Sequence, residues 1–446
     1  MTLSPALPAG AALAPQRDPR DTSPRAAPQA PQAPQRDATI DTVRAFALLI
    51  VVVLHALMVG AQLAPSGALV TSVALSGEPW FAPLTWVLQV MPLFFIAGGF
   101  ASLSQWRRMQ ARGVTATEYV AGRVRRLAVP AALMIGVVGA VLLAARAFGA
   151  DATLIGEASL RIGQPLWFLA VYFGATALVP ALAWLHDRAP IATISALSVG
   201  VFAVDIAHSQ FGVPIGYLNL LLVWPLMQQL GFAMQVGACA AWSRRRLVTG
   251  VRVSLALLLV LLACGWSPDM IENLNPPTTA IMLLGFAQFC ALQLLREQLD
   301  RVTRIPWVAL ASTRASASAM GVYLWHMPVM LLFVAIMWAT GLPLPAPHSA
   351  AWWATRLPWL VVIGVCVIPL AVAVGRLERR VLAQLQAVAS VTSSDAPARR
   401  VPTLLCVVCA IAGTVAALLF GIAQPVPFAC AVALLTVAIN LATVRR

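Results

Sequence analysis

The chain has 446 residues, of which 60% are hydrophobic and only 10% charged, and its mean hydropathy is +0.84. A soluble globular domain does not carry that balance, and apolar runs of about 18–25 residues recur along most of the length, the mark of helical membrane spans. The net charge of +14 comes from arginine, with no lysine, and gathers between apolar runs; it reports topology and gives no ground for a nucleic-acid partner.

Residues 1–36 are Pro, Ala, Gln and Arg without sustained periodicity, and they read as a disordered cytoplasmic tail. The one apolar stretch there, Leu7 to Ala14, is short and has no basic segment before it, unlike a secretory signal. Spans are predicted near 43–64, 82–104, 126–148, 165–185, 190–208, 217–241, 251–266, 278–296, 316–340, 356–376, 402–422 and 426–443. The class is therefore an all-α, polytopic membrane helix bundle of about twelve transmembrane helices.

The loops alternate in charge. Arg107, Arg108 and Arg112 follow the second span, and the predicted outer loop 149–164 is acidic at Asp151 and Glu157. Arg244, Arg245 and Arg246 face an outer loop with Asp269 and Glu272; Arg296, Arg301 and Arg304, and then Arg376, Arg379 and Arg380, return inside. This pattern predicts an integral cytoplasmic-membrane protein with both termini cytoplasmic. Residues 377–401 read as a charged cytoplasmic linker before an extra hairpin, 402–446, whose spans hold no acid, base or histidine. The seven cysteines lie in or beside apolar runs; even Cys406-Val-Val-Cys409, with its CxxC spacing, reads as small apolar side chains, and no metal is indicated.

Two ionisable groups are predicted deep in the membrane. His55 follows Arg44 by eleven helical steps, which returns it to nearly the same face about 16 Å deeper. His326 lies ten residues into its span, about 15 Å deep, so the two histidines can face one cavity. An imidazole at that depth is either a strut hydrogen-bonded between helices or a chemical group. Arg44, Arg125 and Arg126 lie at the inner edge, as headgroup anchors or as grips for an anionic donor whose long arm follows the first span. Asp41, one turn before Arg44, either orients it or forms a surface ion pair.

These residues carry a resemblance. Asp41-Thr42-Val43-Arg44-Ala45-Phe46-Ala47 with His55 resembles the opening pattern of the integral-membrane acyltransferase-3 family, including its Arg-to-His spacing. Pro92 to Phe100 is similar to that family's second-span motif, Gly122 to Pro130 to the start of its third, Pro165-Leu166-Trp167-Phe168-Leu169 to its LWFL, and Tyr323-Leu324-Trp325-His326-Met327-Pro328 to its YLWHxP. The order agrees over roughly residues 37–376, which implies a ten-helix acyltransferase core followed by the two-helix hairpin. The resemblance implies transfer of an acyl group, acetyl most often, from cytoplasmic acyl-CoA (acetyl-CoA) to a hydroxyl of an extracytoplasmic or membrane-associated acceptor: a cell-envelope glycan, a lipid or a small molecule.

In that scheme His55 carries the chemistry, and Arg44, Arg125 and Arg126, with Asp41, bind the donor. His326, Tyr323 and Trp325 build the acceptor or thioester site, Trp167 shapes the acceptor mouth and Glu78 meets a polar acceptor. Plainer readings stand beside these: Trp325 as packing, Trp167 as an interfacial anchor, and Glu78, Asp205, His208, Asp269 and Glu272 as solvated loop charge. Gln89, Gln228 and Gln229 are expected to bond between helices. The sequence departs from the family at Ala170-Val171-Tyr172-Phe173, where many O-acetylating members carry acids, and at Gly98-Gly99 in place of Ser-Gly. The alternative class is a multi-span secondary transporter or exporter of an acylated product; neither a clear internal repeat nor a membrane carboxylate for ion coupling supports it.

Overall fold

The computed structural model describes residues 37–65, 68–391 and 403–443. The predicted N-terminal tail and the later part of the predicted linker lie outside them. The first helix, α1 (Ala38–Met58), stops about six residues before its predicted end. It leads into an antiparallel ribbon of β1 (Val59–Leu63) and β2 (Leu69–Val73), paired from Val59↔Val73 to Leu63↔Leu69. Gly60 fits closely there: a Cβ would lie 2.3 Å from Ser72 Oγ and 3.2 Å from the Ser72 carbonyl oxygen.

Next come α2 (Ala82–Leu88), α3 (Met91–Gln110) and α4 (Ala116–Ala147). The predicted second span is broken between α2 and α3, and Gln89 closes the break. Its amide donates to the Met270 carbonyl (3.0 Å), and its side-chain oxygen accepts from the Met91 N–H (3.3 Å). The start of α4 is a capping box of Thr115 and Glu118, which satisfies two N–H groups that a helix end otherwise leaves bare.

The stretch 149–164, predicted as a loop, is instead largely α5 (Ala152–Gly163). Asp151, read as loop acidity, is its N-cap and accepts from the Leu154 N–H. There follow α6 (Leu166–Ala177), α7 (Val179–Arg188), α8 (Pro190–Ser209), a 3-10 turn (Gly216–Leu221) and α9 (Val223–Gln235). The chain continues through α10 (Arg244–Ala263), α11 (Thr279–Leu294), α12 (Arg296–Thr303) and α13 (Pro306–Ala339). It ends with α14 (Ala350–Val391), α15 (Thr403–Phe420) and α16 (Pro425–Thr443). The α14 helix runs on through the first part of the predicted linker, where Leu, Glu, Arg, Ala and Gln are good helix formers.

Among the described residues nine helices are long and apolar enough to cross a membrane, or eleven when the bent pairs α5–α6 with α7 and α11 with α12 are each counted as one span. The shortfall from twelve lies at 217–241. Here α9 has only 13 residues, about 20 Å of helix against a hydrocarbon core of about 30 Å. Every residue from Val223 to Met234 is buried, so protein surrounds this short helix, whereas the 3-10 turn before it is open at Tyr217, Leu218 and Leu221; a helix too short to span is tolerated at membrane depth where protein encloses it.

Small residues let α9 approach α3. A Cβ at Gly231 would lie 2.1 Å from the Ile96 carbonyl oxygen, and one at Gly99 2.5 Å from that of Gln228. Helix α1 packs on α13 and α3, and α13 on α14. The final hairpin is built into the bundle against α4, α5 and α6. Ser159 Oγ accepts from the Ile422 and Ala423 N–H groups at its turn, and the Phe428 ring covers Gly139.

Candidate active site

His55 projects from the last turn of α1 and His326 from the middle of α13. The packing of these helices brings the two imidazoles together, with ring centroids 5.0 Å apart and planes 25° from parallel. His326 Nε2 lies 3.0 Å from His55 Nδ1, and His326 Nδ1 lies 2.6 Å from the Tyr323 carbonyl oxygen one turn earlier. His326 is wholly buried, whereas His55 is half-buried.

This chain of contacts fixes the protons. A carbonyl oxygen only accepts, so Nδ1 of His326 carries hydrogen. Nε2 of a neutral His326 is then an acceptor, and the donor to it is His55 Nδ1–H. A neutral His55 therefore keeps its lone pair on Nε2, which has no hydrogen bond among the described residues. Two residues beyond His326, Pro328 lacks an N–H and frees the Leu324 carbonyl, loosening the α13 ladder at this turn.

The Tyr323 hydroxyl donates to the Pro165 carbonyl and ties α13 to the start of α6. Its ring begins an aromatic file toward the other end of α1. Tyr323 meets Phe168 at 5.1 Å between centroids, Phe168 meets Phe94 at 5.2 Å, and the Arg44 guanidinium lies 6.0 Å from the Phe94 centroid. Arg44 also pairs with Asp41 at 3.8 Å, while its Nε is buried without a partner. Arginine, aromatic file and histidine pair thus form one continuous track along α1.

A family model described as an acyltransferase domain matches residues 37–376. The chain belongs to this acyltransferase-3 family. No curated protein and no solved structure matches it. The chain is accordingly a membrane acyltransferase, and its matched region ends before α15 and α16.

The remaining site candidates of the acyltransferase fall in different places. Arg125 is half-buried on α4, whereas its neighbour Arg126 is exposed, one residue or about 100° further round the helix. Trp325 is buried with its indole N–H unpartnered, and it makes no ring contact with the histidines. Trp167 is half-buried among Phe168 and Trp224, at 6.2 and 6.1 Å, inside an aromatic cluster. Glu78 accepts from the Trp80 indole (3.0 Å) and faces His348 (3.6 Å), so it is engaged within the loops near β2.

Asp205 is not a solvated loop charge. It is 4% exposed and accepts from the Thr279 N–H (2.8 Å) and the Trp266 indole (3.0 Å), where it caps α11. Gln229 does bond between helices, to His186 (2.6 Å) and the Leu182 carbonyl (2.9 Å), but neither end of the Gln228 amide has a partner.

Three further side chains meet these groups. Arg123 donates to Gln105 (3.1 Å) and reaches the Tyr172 hydroxyl (3.4 Å); its signal was its place in the Gly122–Pro130 motif. Tyr172 stacks on Phe168 at 5.5 Å, which puts a ring at the stretch where the family pattern often has acids. Trp359 donates its indole N–H to the Ala56 carbonyl (3.0 Å), beside His55, and nothing in its apolar span announced it. Among the described residues, no three His, Cys, Asp or Glu side chains group as metal ligands.

Proposed function

We propose that this acyltransferase moves an acyl group, acetyl in the first instance, from cytoplasmic acyl-CoA to a hydroxyl on an extracytoplasmic or membrane-associated acceptor. The acceptor class is a cell-envelope glycan, a lipid or a secreted small molecule. The observation that carries the reading is the held imidazole pair, which leaves Nε2 of His55 as a lone-pair nitrogen at the end of the track from Arg44.

In this mechanism His55 Nε2 takes the proton of the acceptor hydroxyl as its oxygen attacks the thioester carbonyl. The tetrahedral adduct collapses, the C–S bond breaks, and His55 returns the proton to the departing thiolate. While His55 holds the extra proton, its Nδ1–H continues to donate to His326, which spreads the charge toward the Tyr323 carbonyl. Arg44, Arg125 and Arg126 bind donor phosphates, since guanidinium groups grip phosphate in a planar fork. Asp41 orients Arg44, and Tyr323, Trp325, Trp167 and Glu78 are assigned to the acceptor side. The arginine-rich loops support a cytoplasmic-membrane location with the Arg44 end, and both termini, cytoplasmic.

The test is transfer from labelled acetyl-CoA by the purified protein in nanodiscs, wild type against His55→Ala, with an envelope extract as acceptor. Label moved by the wild type alone supports the reading. Equal turnover in the variant refutes the role of His55. Uptake of an acylated product without consumption of acyl-CoA would favour transport instead.

A further inference from the structure

At the end of the bundle remote from Arg44, a cavity of about 250 Å³ opens between the later turns of α13 and the first turns of α14. Phe333 and Met337 form one wall, Val59 and Ala61 of β1 another, and Trp359 a third. Its lining carries one charge, the half-buried Arg356.

Arg356 is held firmly. Its Nε donates to the Trp352 carbonyl (3.0 Å), one Nη donates to Thr355 Oγ1 (3.3 Å), and the guanidinium lies 4.4 Å from the Trp352 centroid and 5.6 Å from that of Trp359. No carboxylate among the described residues pairs with it. The acid of this region, Glu78, is engaged with Trp80 and with His348, which itself stacks on Trp352. Among the described residues Arg356 is thus a positioned cation with a free Nη and no counter-ion, beside an apolar slot.

The outward face of α14 is apolar and open, with Leu357 71% and Val361 57% exposed, as a lipid-facing helix requires. A slot of this volume is below the roughly 300–1,000 Å³ of sites that enclose a whole drug-sized ligand, so it takes a segment of one chain. We infer that the cavity binds an anionic bilayer lipid, with part of one acyl chain in the slot and the phosphate on Arg356. Guanidinium matches phosphate bidentately, and the uncompensated charge favours an anionic over a zwitterionic headgroup. The inference does not rest on the acyl-transfer reading. The cavity wall does reach the residue after the candidate base, because Trp359 donates to the Ala56 carbonyl.

The test is native mass spectrometry of the full chain with phosphatidylglycerol or phosphatidylcholine of the same acyl chains. The first bound phosphatidylglycerol is expected to be held at least tenfold more tightly than phosphatidylcholine. Arg356→Gln should erase that preference, and Arg356→Lys should keep part of it. Val334→Trp, which fills the slot, should weaken both lipids. Each variant is compared only if it elutes and melts like the wild type, and Arg356→Lys and Val334→Trp keep the test open should Arg356→Gln fail to fold. Unchanged preference in Arg356→Gln, full binding in Val334→Trp, or equal competition by glycerol phosphate without a chain would overturn the assignment.

Discussion

Replacing His326 by phenylalanine keeps a ring at the buried end of the pair and removes the acceptor for His55 Nδ1–H. In the wild type that bond is 3.0 Å long and its acceptor is wholly buried. A buried donor left unsatisfied costs about 1–3 kcal/mol. The cost is greatest when His55 is protonated, because the same N–H then bears part of the charge. At about 1.36 kcal/mol per factor of ten, the turnover rate should fall roughly 5- to 150-fold. The Michaelis constant for the donor should hardly move, since Arg44 stands eleven residues before His55 on α1, about 16 Å from the pair. His326→Gln, which retains an acceptor, should recover part of the rate. The assay is steady-state transfer from labelled acyl-CoA in nanodiscs, with melting as a control on folding. A well-folded His326→Phe protein that turns over at the wild-type rate would refute the claim that this contact positions the base.

Arg44→Ala should raise the Michaelis constant for acyl-CoA about tenfold or more with a smaller effect on turnover, Arg44→Lys being intermediate; donor titrations decide, and an unchanged constant removes Arg44 from the donor site. Gly231→Ala should lower stability by about 1–3 kcal/mol or prevent folding, because its Cβ would meet the Ile96 carbonyl at 2.1 Å; an unshifted melting temperature in detergent would contradict that packing. Asp205→Ala strands the Thr279 N–H and the Trp266 indole, and about 1–3 kcal/mol per group is expected, with Asp205→Asn milder; equal melting of the two variants would deny the capping role.

Depth could be counted along the sequence, and that is why His55 and His326 stood out and why their elements lie where the apolar runs put them. Which nitrogen meets which depends on how α1 crosses α13, and no spacing within either helix encodes that. Asp205 shows the same limit: its partner Thr279 is 74 residues on, so in the sequence it looked like any loop acid. A full span is expected at 217–241 because no charged residue interrupts that run, and the pattern does not show where its helix breaks. At α5 the signal was present and misassigned, since Asp151 followed by a helix-forming run is an N-cap as readily as an acidic loop.

Arg44 and His55 stand on one unbroken helix, and this makes α1 a ruler. Its eleven residues set a span of about 16 Å that side-chain motion alters only at the ends. On the proposed reading, a donor is selected by the length between its phosphates and its reactive carbonyl as much as by the chemistry of either. A compact acyl phosphate anchored at Arg44 would fall short of His55, whatever its reactivity. One residue inserted between them would lengthen the rule by only about 1.5 Å but turn the imidazole about 100° away from its partner.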